Sequence, residues 1–281
     1  MPSPPIDVLS ASGFSLDALT ALFNRGFEDY LFPVNLTQES LSHRIWTEDV
    51  DLHSCKVALV DGEPSGFAFI ARRGCRSRLA AMGVIKESRQ QGVGRMLARA
   101  ILADARVRHG GGDREMRLEV FEDNNAARKL YEGEGFRILR RLSGRTLSSP
   151  RAASAPLELH DTPVWNHVVS AEAMDLPWQL EPETLAVLGA PARVASLDGK
   201  AWALIYGSSA AMLVLRGLYV RPGHRRQGYA TKLIGALAAM HPGRTIHFPP
   251  LIPEPMGTGF FERLGFQADA MNQVEMAISF L

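Results

Sequence analysis

The sequence predicts an α+β protein, or mixed α/β, built twice over within one chain. Three observations carry this. One pattern of apolar strand, basic turn, small residues and amphipathic helix occupies residues 79–101 and returns at residues 215–237, every landmark displaced by 136 residues with no gap. In the first half, strands joined by a tight turn precede a strand-helix-strand unit, and the second half repeats that order. The chain has 281 residues, more than one ordinary domain and natural for two of about 140. The predicted division is residues 1–147 and 148–281.

The elements follow in order. Residues 6–9 suit a short strand. Ser15 can cap a helix reaching about Tyr30, with Leu16, Leu19, Leu22 and Phe23 on one face. Thr37, with Glu39 and Ser40 in the first turn, opens a second helix to about Trp46. Residues 56–60 and 66–71 read as strands joined by the turn Asp61-Gly62-Glu63-Pro64. Strand 79–84, helix 91–107, strand 116–120, helix 124–134 and strand 136–142 complete the first half. Residues 145–156, rich in Ser, Ala, Pro and Arg and lacking apolar periodicity, read as a linker.

The second half is less legible up to Val187. Strands 193–197, 201–206 and 212–220 follow, the first two joined by Asp198-Gly199. A helix opens near Gln227 and strand 245–248 comes next. A Pro-rich irregular stretch to residue 255, a short helix near 256–264 and closing strands to residue 281 end the chain.

Composition excludes several function classes. Net charge is +1, so no global field draws the protein to nucleic acid or an anionic membrane, and neither is an expected partner. Cys55 and Cys75, the only cysteines, form neither a disulfide framework nor a metal-ligand spacing, which suits a reducing cytoplasm. No segment approaches the ~18 apolar residues of a membrane span, and the N-terminus lacks a charged leader pattern. The eight histidines show no metal spacing; His43, His53 and His167 read as surface or core residues, and no metal is expected. Arg72, Arg73, Arg76 and Arg78 cluster around a hairpin and read as a solvated turn, the alternative being a patch for an acidic acceptor or RNA. Trp165 and Trp178 read as apolar filling of the second half.

The repeated turn carries the chemistry. It reads Arg89-Gln90-Gln91-Gly92-Val93-Gly94-Arg95 in the first copy and Arg225-Arg226-Gln227-Gly228-Tyr229-Ala230 in the second. A helix N-terminus leaves four N–H groups without intrahelical partners and carries partial positive charge, so a phosphate is stabilised there. Small residues admit the backbone to a bulky diphosphate, and the arginines neutralise remaining charge. Gly92-Val93-Gly94 lacks the third small residue of a dinucleotide fingerprint, since Leu97 stands there, and no Gly-rich loop ending in Gly-Lys-Ser/Thr occurs. Taken alone, the two glycines could also serve merely to turn the chain into a helix.

These residues resemble the pyrophosphate loop of the GNAT superfamily of acyl-CoA-dependent N-acyltransferases, whose signature is [RQ]-x-x-G-x-[GA]; both copies match. A second signature of that family resembles Asn124-Asn-Ala-Ala127-Arg-Lys-Leu130-Tyr131-Glu-Gly-Glu-Gly135-Phe136. The whole chain is similar to tandem GNAT proteins. The resemblance implies two domains, each a mixed, mostly antiparallel sheet with a central V-shaped splay flanked by helices. It implies acetyl-CoA as cosubstrate, with its pantetheine along Met82, Gly83 and Val84 and its pyrophosphate on residues 90–95. Asn124 then meets the pantetheine or caps its helix, with Ala127 in the same turn. In the second half Leu218 and Val220 would stand where Met82 and Val84 do. The physical reading agrees, because an open strand edge offers N–H and C=O groups to an amide-rich arm.

Acyl transfer needs a neutral amine, a stabilised carbonyl oxygen and a hydrogen bond or proton for the departing thiolate. By resemblance, Tyr131 supplies the last. Aligning Gly265-Phe266 with Gly135-Phe136 sets Phe261 opposite Tyr131 and Glu254 opposite Asn124. The first half is therefore the expected catalytic one, and the second binds coenzyme A without turnover or serves as a pseudo-symmetric partner. Two readings are open at Glu119: a base acting directly or through water, or a solvent-facing strand residue. Glu28 and Asp29 are alternative carboxylates on the helix that, by resemblance, borders the acceptor. The expected acceptor is a small-molecule or peptide amine, and the expected state a monomer with pseudo-dimeric halves or a homodimer. The alternative function is an acyl-CoA-binding sensor or interaction protein without turnover.

Overall fold

Helices and strands of the first half form in the order β1 (Ile6–Ser10), α1 (Leu16–Gly26), α2 (Gln38–Thr47), β2 (Lys56–Val60), β3 (Glu63–Arg73), β4 (Arg76–Val84), α3 (Val93–Val107), β5 (Glu115–Phe121) and α4 (Asn125–Gly133). Then come β6 (Arg137–Leu147), β7 (Glu158–His160), α5 (Val164–Val169), α6 (Pro182–Ala186), β8 (Arg193–Leu197), β9 (Ala201–Ser208), β10 (Met212–Val220), α7 (Tyr229–Met240), β11 (Thr245–Pro253), α8 (Thr258–Leu264), β12 (Gln267–Ala268) and β13 (Gln273–Ser279). The computed structural model describes residues 5–31, 33–107, 112–169 and 174–280. The chain divides into unit 1, Met1–Leu139 with Val274–Leu281, and unit 2, Arg140–Gln273.

In unit 1, β1, β2, β3 and β4 are antiparallel neighbours. β5 then joins β4 in parallel, and β13 lies beside β5. Unit 2 repeats the plan: β7, β8, β9 and β10 are antiparallel, and β11 joins β10 in parallel. Residues 142–147 of β6 pair with β11, register Leu147↔Ile246. Each unit is thus the mixed, mostly antiparallel sheet flanked by helices that the family resemblance implies. The boundary falls after Leu139 rather than Leu147, because the later part of β6 takes its ladder partner from β11. For the same reason residues 145–147 are strand and not linker. A chain-terminal strand in unit 1 was not foreseen.

Local chemistry explains the first helices. The Ser15 side chain accepts the Ala18 N–H, and Leu19, Leu22 and Phe23 are buried along one face. α1 stops at Gly26, short of the predicted Tyr30, and Phe27 caps it. Asn24 then clamps the following loop twice, donating to the Leu36 carbonyl (2.9 Å) and accepting its N–H (2.8 Å). In α2, Thr37 and Ser40 close a reciprocal capping box. The amphipathic α3 buries Val93, Leu97, Ala98, Ile101 and Leu102; full burial of the Val, Leu and Ile side chains is worth about 1.5–3 kcal/mol each. Trp165 and Trp178 are buried in unit 2, as expected.

Candidate active site

The central parallel pair opens in both units. β4 and β5 are paired from Arg76↔Glu115 to Leu79↔Leu118, after which β4 runs on to Val84 and β5 to Phe121. A bulge marks the parting point: Phe69 faces Ala81 and Ile70 faces Leu79, leaving Ala80 as the extra residue. Met82 and Val84 on the free stretch are partly exposed, while Gly83 is buried. In unit 2 the pairing of β10 with β11 ends at Val214↔His247, and β10 continues to Val220. This is the V-shaped splay.

The basic turn sits where the free strand enters its helix. In unit 1, Gln90 has φ 64° and Gly92 φ 89°; in unit 2, Arg226 has φ 60° and Gly228 φ 83°. Arg89 Nε donates to the Val84 carbonyl at 3.1 Å, and Arg225 Nε to Val220 at 3.0 Å. Gln91 Nε2 reaches the Glu87 carbonyl at 2.8 Å, and Gln227 the Gly223 carbonyl at 2.9 Å. The two loops are therefore the same object. α3 begins at Val93, so the N–H groups of Val93, Gly94 and Arg95 have no intrahelical acceptor. Gln90, Gln91, Gly92 and Arg95 are exposed. A Cβ on Gly94 would stand 3.3 Å from Leu130 Cδ2, a tight contact that the leucine tip would have to yield to. Arg95 is partly engaged, 3.5 Å from Glu134. In unit 2, Tyr229 accepts from Lys200 Nζ at 2.9 Å, and Ala230 is partly exposed.

The fit to an acyl-CoA can be judged from these features: free helix N–H groups, a left-handed loop without side chains at its tip, and an open strand edge. Residues 90–95 would hold a pyrophosphate, and Met82, Gly83 and Val84 an amide-bearing arm.

Around the splay of unit 1 lie three polar side chains. Asn124 is the N-cap of α4, its Oδ1 accepting the Ala127 N–H at 3.2 Å. The Asn124 side chain also hydrogen-bonds the Tyr30 phenol. Tyr131 is 7% exposed, its ring edge-to-face with Phe136. Burial, reinforced by the nearby Tyr30 phenol, pushes the Tyr131 hydroxyl well above the ordinary phenol range. Burial likewise raises Tyr30, opposed by the Asn124 hydrogen bond. Sequence reasoning missed Tyr30. It falls in the turn beyond α1, and only the folded loop carries it to Asn124 and Tyr131.

Glu119 is neither solvent-facing nor alone. Its side chain is 3% exposed, and Arg78 Nε donates to its Oε2 at 2.7 Å. The residue as a whole is only half-buried, so its exposure lies in the main chain, at the open edge of the splay. Arg78, 2% exposed, corrects the solvated-turn reading. Its neighbours are engaged too: Arg73 with Asp49 at 2.6 Å and Arg72 with Asp113 at 3.2 Å. Asp29 is held by Lys86 (3.1 Å) and Arg89 (3.8 Å), beside the basic turn, and Glu28 is exposed.

Unit 2 closes the same region with apolar rings. Phe261, in place of Tyr131, packs edge-to-face on Phe248 and Phe266. Glu254 caps no helix; it faces Arg141 at 3.3 Å and Arg145 at 3.7 Å, and α8 starts after Gly257. Trp165 lies so close to β10 that a Cβ on Gly217 would stand 2.3 Å from its ring. Among the described residues no cluster of His, Cys, Asp and Glu could hold a metal, and no helix is long and apolar enough to cross a membrane.

With this geometry, a family model for the "Acetyltransferase (GNAT) family" matches residues 16–136, and one for an "Acetyltransferase (GNAT) domain" matches residues 190–268. The chain belongs to the GNAT acetyltransferases and carries two such domains in tandem. Acyl-CoA-dependent acetyl transfer is the activity general to that family. Among solved structures the chain resembles a tandem GNAT protein from the clavulanic acid biosynthesis pathway, with 14% identity, 99% of each chain covered and a TM-score of 0.65. It also resembles a GCN5-related N-acetyltransferase from Sphaerobacter thermophilus (14% identity, 98% of this chain and 96% of that one, TM-score 0.64). One from Kribbella flavida aligns comparably (14%, 98% and 71%, TM-score 0.65). These likenesses establish the fold. No protein of curated function matches the chain in sequence.

Proposed function

We propose that unit 1 transfers an acetyl group from acetyl-CoA to a primary amine of a small molecule or peptide, by direct attack in a ternary complex. One observation carries this reading: the splay of unit 1 lies between the basic left-handed turn and a buried phenol, Tyr131, while unit 2 repeats the turn and replaces the phenol with Phe261.

The chemistry balances as follows. The amine nitrogen bonds to the thioester carbonyl carbon, the C–S bond breaks, and the sulfur receives the equivalent of the proton that the nitrogen loses. Tyr131, kept protonated by burial and by Tyr30, is a hydrogen-bond donor for the departing sulfur. Glu119 is the candidate base, acting on the acceptor directly or through water. Residues 90–95 orient the cosubstrate through its diphosphate and so spend binding energy on position. Unit 2, on this reading, binds coenzyme A without turnover or serves only as a folded partner.

The test combines two measurements. Thiol release from acetyl-CoA is followed with and without spermidine, glucosamine and an alanyl tetrapeptide, and coenzyme A is titrated by calorimetry. Amine-dependent release with at least one site per chain is the expected result. Binding with silence across a broad amine panel would replace this reading with that of an acyl-CoA-binding protein.

A further inference from the structure

Arg78 belongs to neither GNAT signature, yet it is among the most buried charges of unit 1. Burial opposes its charge, but Glu119 and Glu48 outweigh that cost and keep it protonated. Its guanidinium is divided between two elements. Nε donates to Glu119 Oε2 on β5 at 2.7 Å, Nη2 stands 2.7 Å from the same oxygen as an ion-pair contact, and Nη1 donates to Glu48 Oε2, just beyond α2, at 2.7 Å. Glu48 Oε1 in turn meets Arg44 Nε at 3.2 Å, and Arg44 Nη2 donates to the carbonyl of Ala80 at 2.7 Å. Ala80 is the bulge residue at which β4 leaves β5. Two cations and two carboxylates thus balance along one path from the splay to α2. Both guanidinium contacts with Glu119 fall on the same oxygen. The other, Oε1, is enclosed and has no partner among the described residues.

We propose that Arg78 is a positioning residue for the reaction of unit 1. It consumes Oε2 and fixes the carboxylate so that Oε1 alone is left to receive the acceptor's proton. In that step an N–H bond of the acceptor ammonium breaks and the electron pair stays on nitrogen. The proton passes through a water to Oε1 and later to solvent. Through Glu48 and Arg44 the same clamp ties α2 and the Ala80 bulge to the base, so the carboxylate is set only when α2 is docked. The proposal rests on the reading of unit 1 as an acetyltransferase. Among the described residues unit 2 has no such clamp: by the register of the parallel pairs, Val214 stands where Arg78 does and Pro249 where Glu119 does.

The test is a double-mutant cycle on the full chain, using whichever of spermidine, glucosamine or the alanyl tetrapeptide supports thiol release. Arg78→Lys keeps a cation but not the fork that spans two carboxylates. It should lower kcat about 10–100-fold, as misplacement of a catalytic group does, with acetyl-CoA KM and the calorimetric affinity for coenzyme A within about twofold. Glu119→Gln should lower kcat at least as far, and the double variant should fall no further than Glu119→Gln alone. If Arg78→Lys does not fold, Glu48→Gln completes the same cycle from the other end of the clamp, with a smaller loss and the same non-additivity. Full kcat in these variants, or losses that multiply with Glu119→Gln, would overturn the proposal while leaving acetyl transfer intact. A wild-type protein that releases no thiol with any amine would overturn the reading of unit 1 and the proposal with it.

Discussion

Gly26 and Gly83 meet where the end of α1 crosses the free stretch of β4. A Cβ on Gly83 would stand 3.3 Å from the Gly26 Cα and 2.7 Å from Phe67 Cε1; one on Gly26 would stand 2.8 Å from the same ring atom. The two absent side chains let a helix lie directly on the face of the strand whose open edge is proposed to receive pantetheine. Gly26→Ala should therefore overpack the contact and destabilise the protein by about 1–3 kcal/mol. A thermal melt reads this as a drop of about 2–4 °C per kcal/mol; an unchanged Tm would show that Phe67 yields without cost.

Tyr131→Phe should lower kcat by roughly 10–10³-fold with a modest change in acetyl-CoA KM, since in the proposed mechanism the phenol is engaged only as sulfur departs. Tyr30→Phe removes one hydrogen bond to Asn124 and one neighbour of Tyr131. Its loss should be smaller, about 2–10-fold, the equivalent of a single neutral hydrogen bond. Steady-state kinetics separate the two, and equal losses would assign the leading role to Tyr30.

Gly92 adopts φ 89° at the tip of the loop, where a Cβ would meet nothing within 4 Å. The penalty of Gly92→Ala is thus conformational rather than steric crowding. A left-handed alanine costs about 1–2 kcal/mol, which should weaken coenzyme A binding about tenfold if the loop relaxes to escape it. Calorimetry on the variant measures this, and undiminished affinity would remove the loop from cosubstrate capture.

Asp269 gives unit 2 an acid-sensitive point. Burial disfavours its charge, but hydrogen bonds from His247 (2.8 Å) and Thr146 (2.7 Å), with Arg145 nearby, hold its carboxyl below the ordinary value. A depressed folded-state value means stability that is present above the unfolded carboxyl range of about 3.9 and lost as pH falls through the folded value. The melting temperature of the wild type should therefore drop on acidification below about pH 4. Asp269→Asn should be less stable at neutral pH and show a shallower acid decline. Parallel melting curves for the two proteins would contradict this.

What could be read from residues alone was local or periodic. Ser15, Thr37 and Asn124 announce their helices because a short polar side chain satisfies a free N–H nearby in sequence. The basic turns were legible because a left-handed loop before a helix tolerates few residue types and both copies keep them. The end of α1 at Gly26 was not legible: it follows from Asn24 binding Leu36, twelve residues on. Nor was the fate of residues 145–147, whose composition suggests a linker while β11 supplies their ladder. Arg78 looked like one of four arginines at a hairpin, since its carboxylate partners lie 30 and 41 residues away.

By itself, then, the sequence determined the repeat, the α+β class, the two basic left-handed turns and the contrast of Tyr131 with Phe261. These depend on backbone conformation and side-chain chemistry at neighbouring positions. Only the tertiary structure decided which strands complete each unit, that Tyr30 joins Asn124 and Tyr131, and that Glu119 is clamped through one oxygen by Arg78. Those outcomes require distant segments to be desolvated together, and burial then forces each charge to find a partner that no local pattern names.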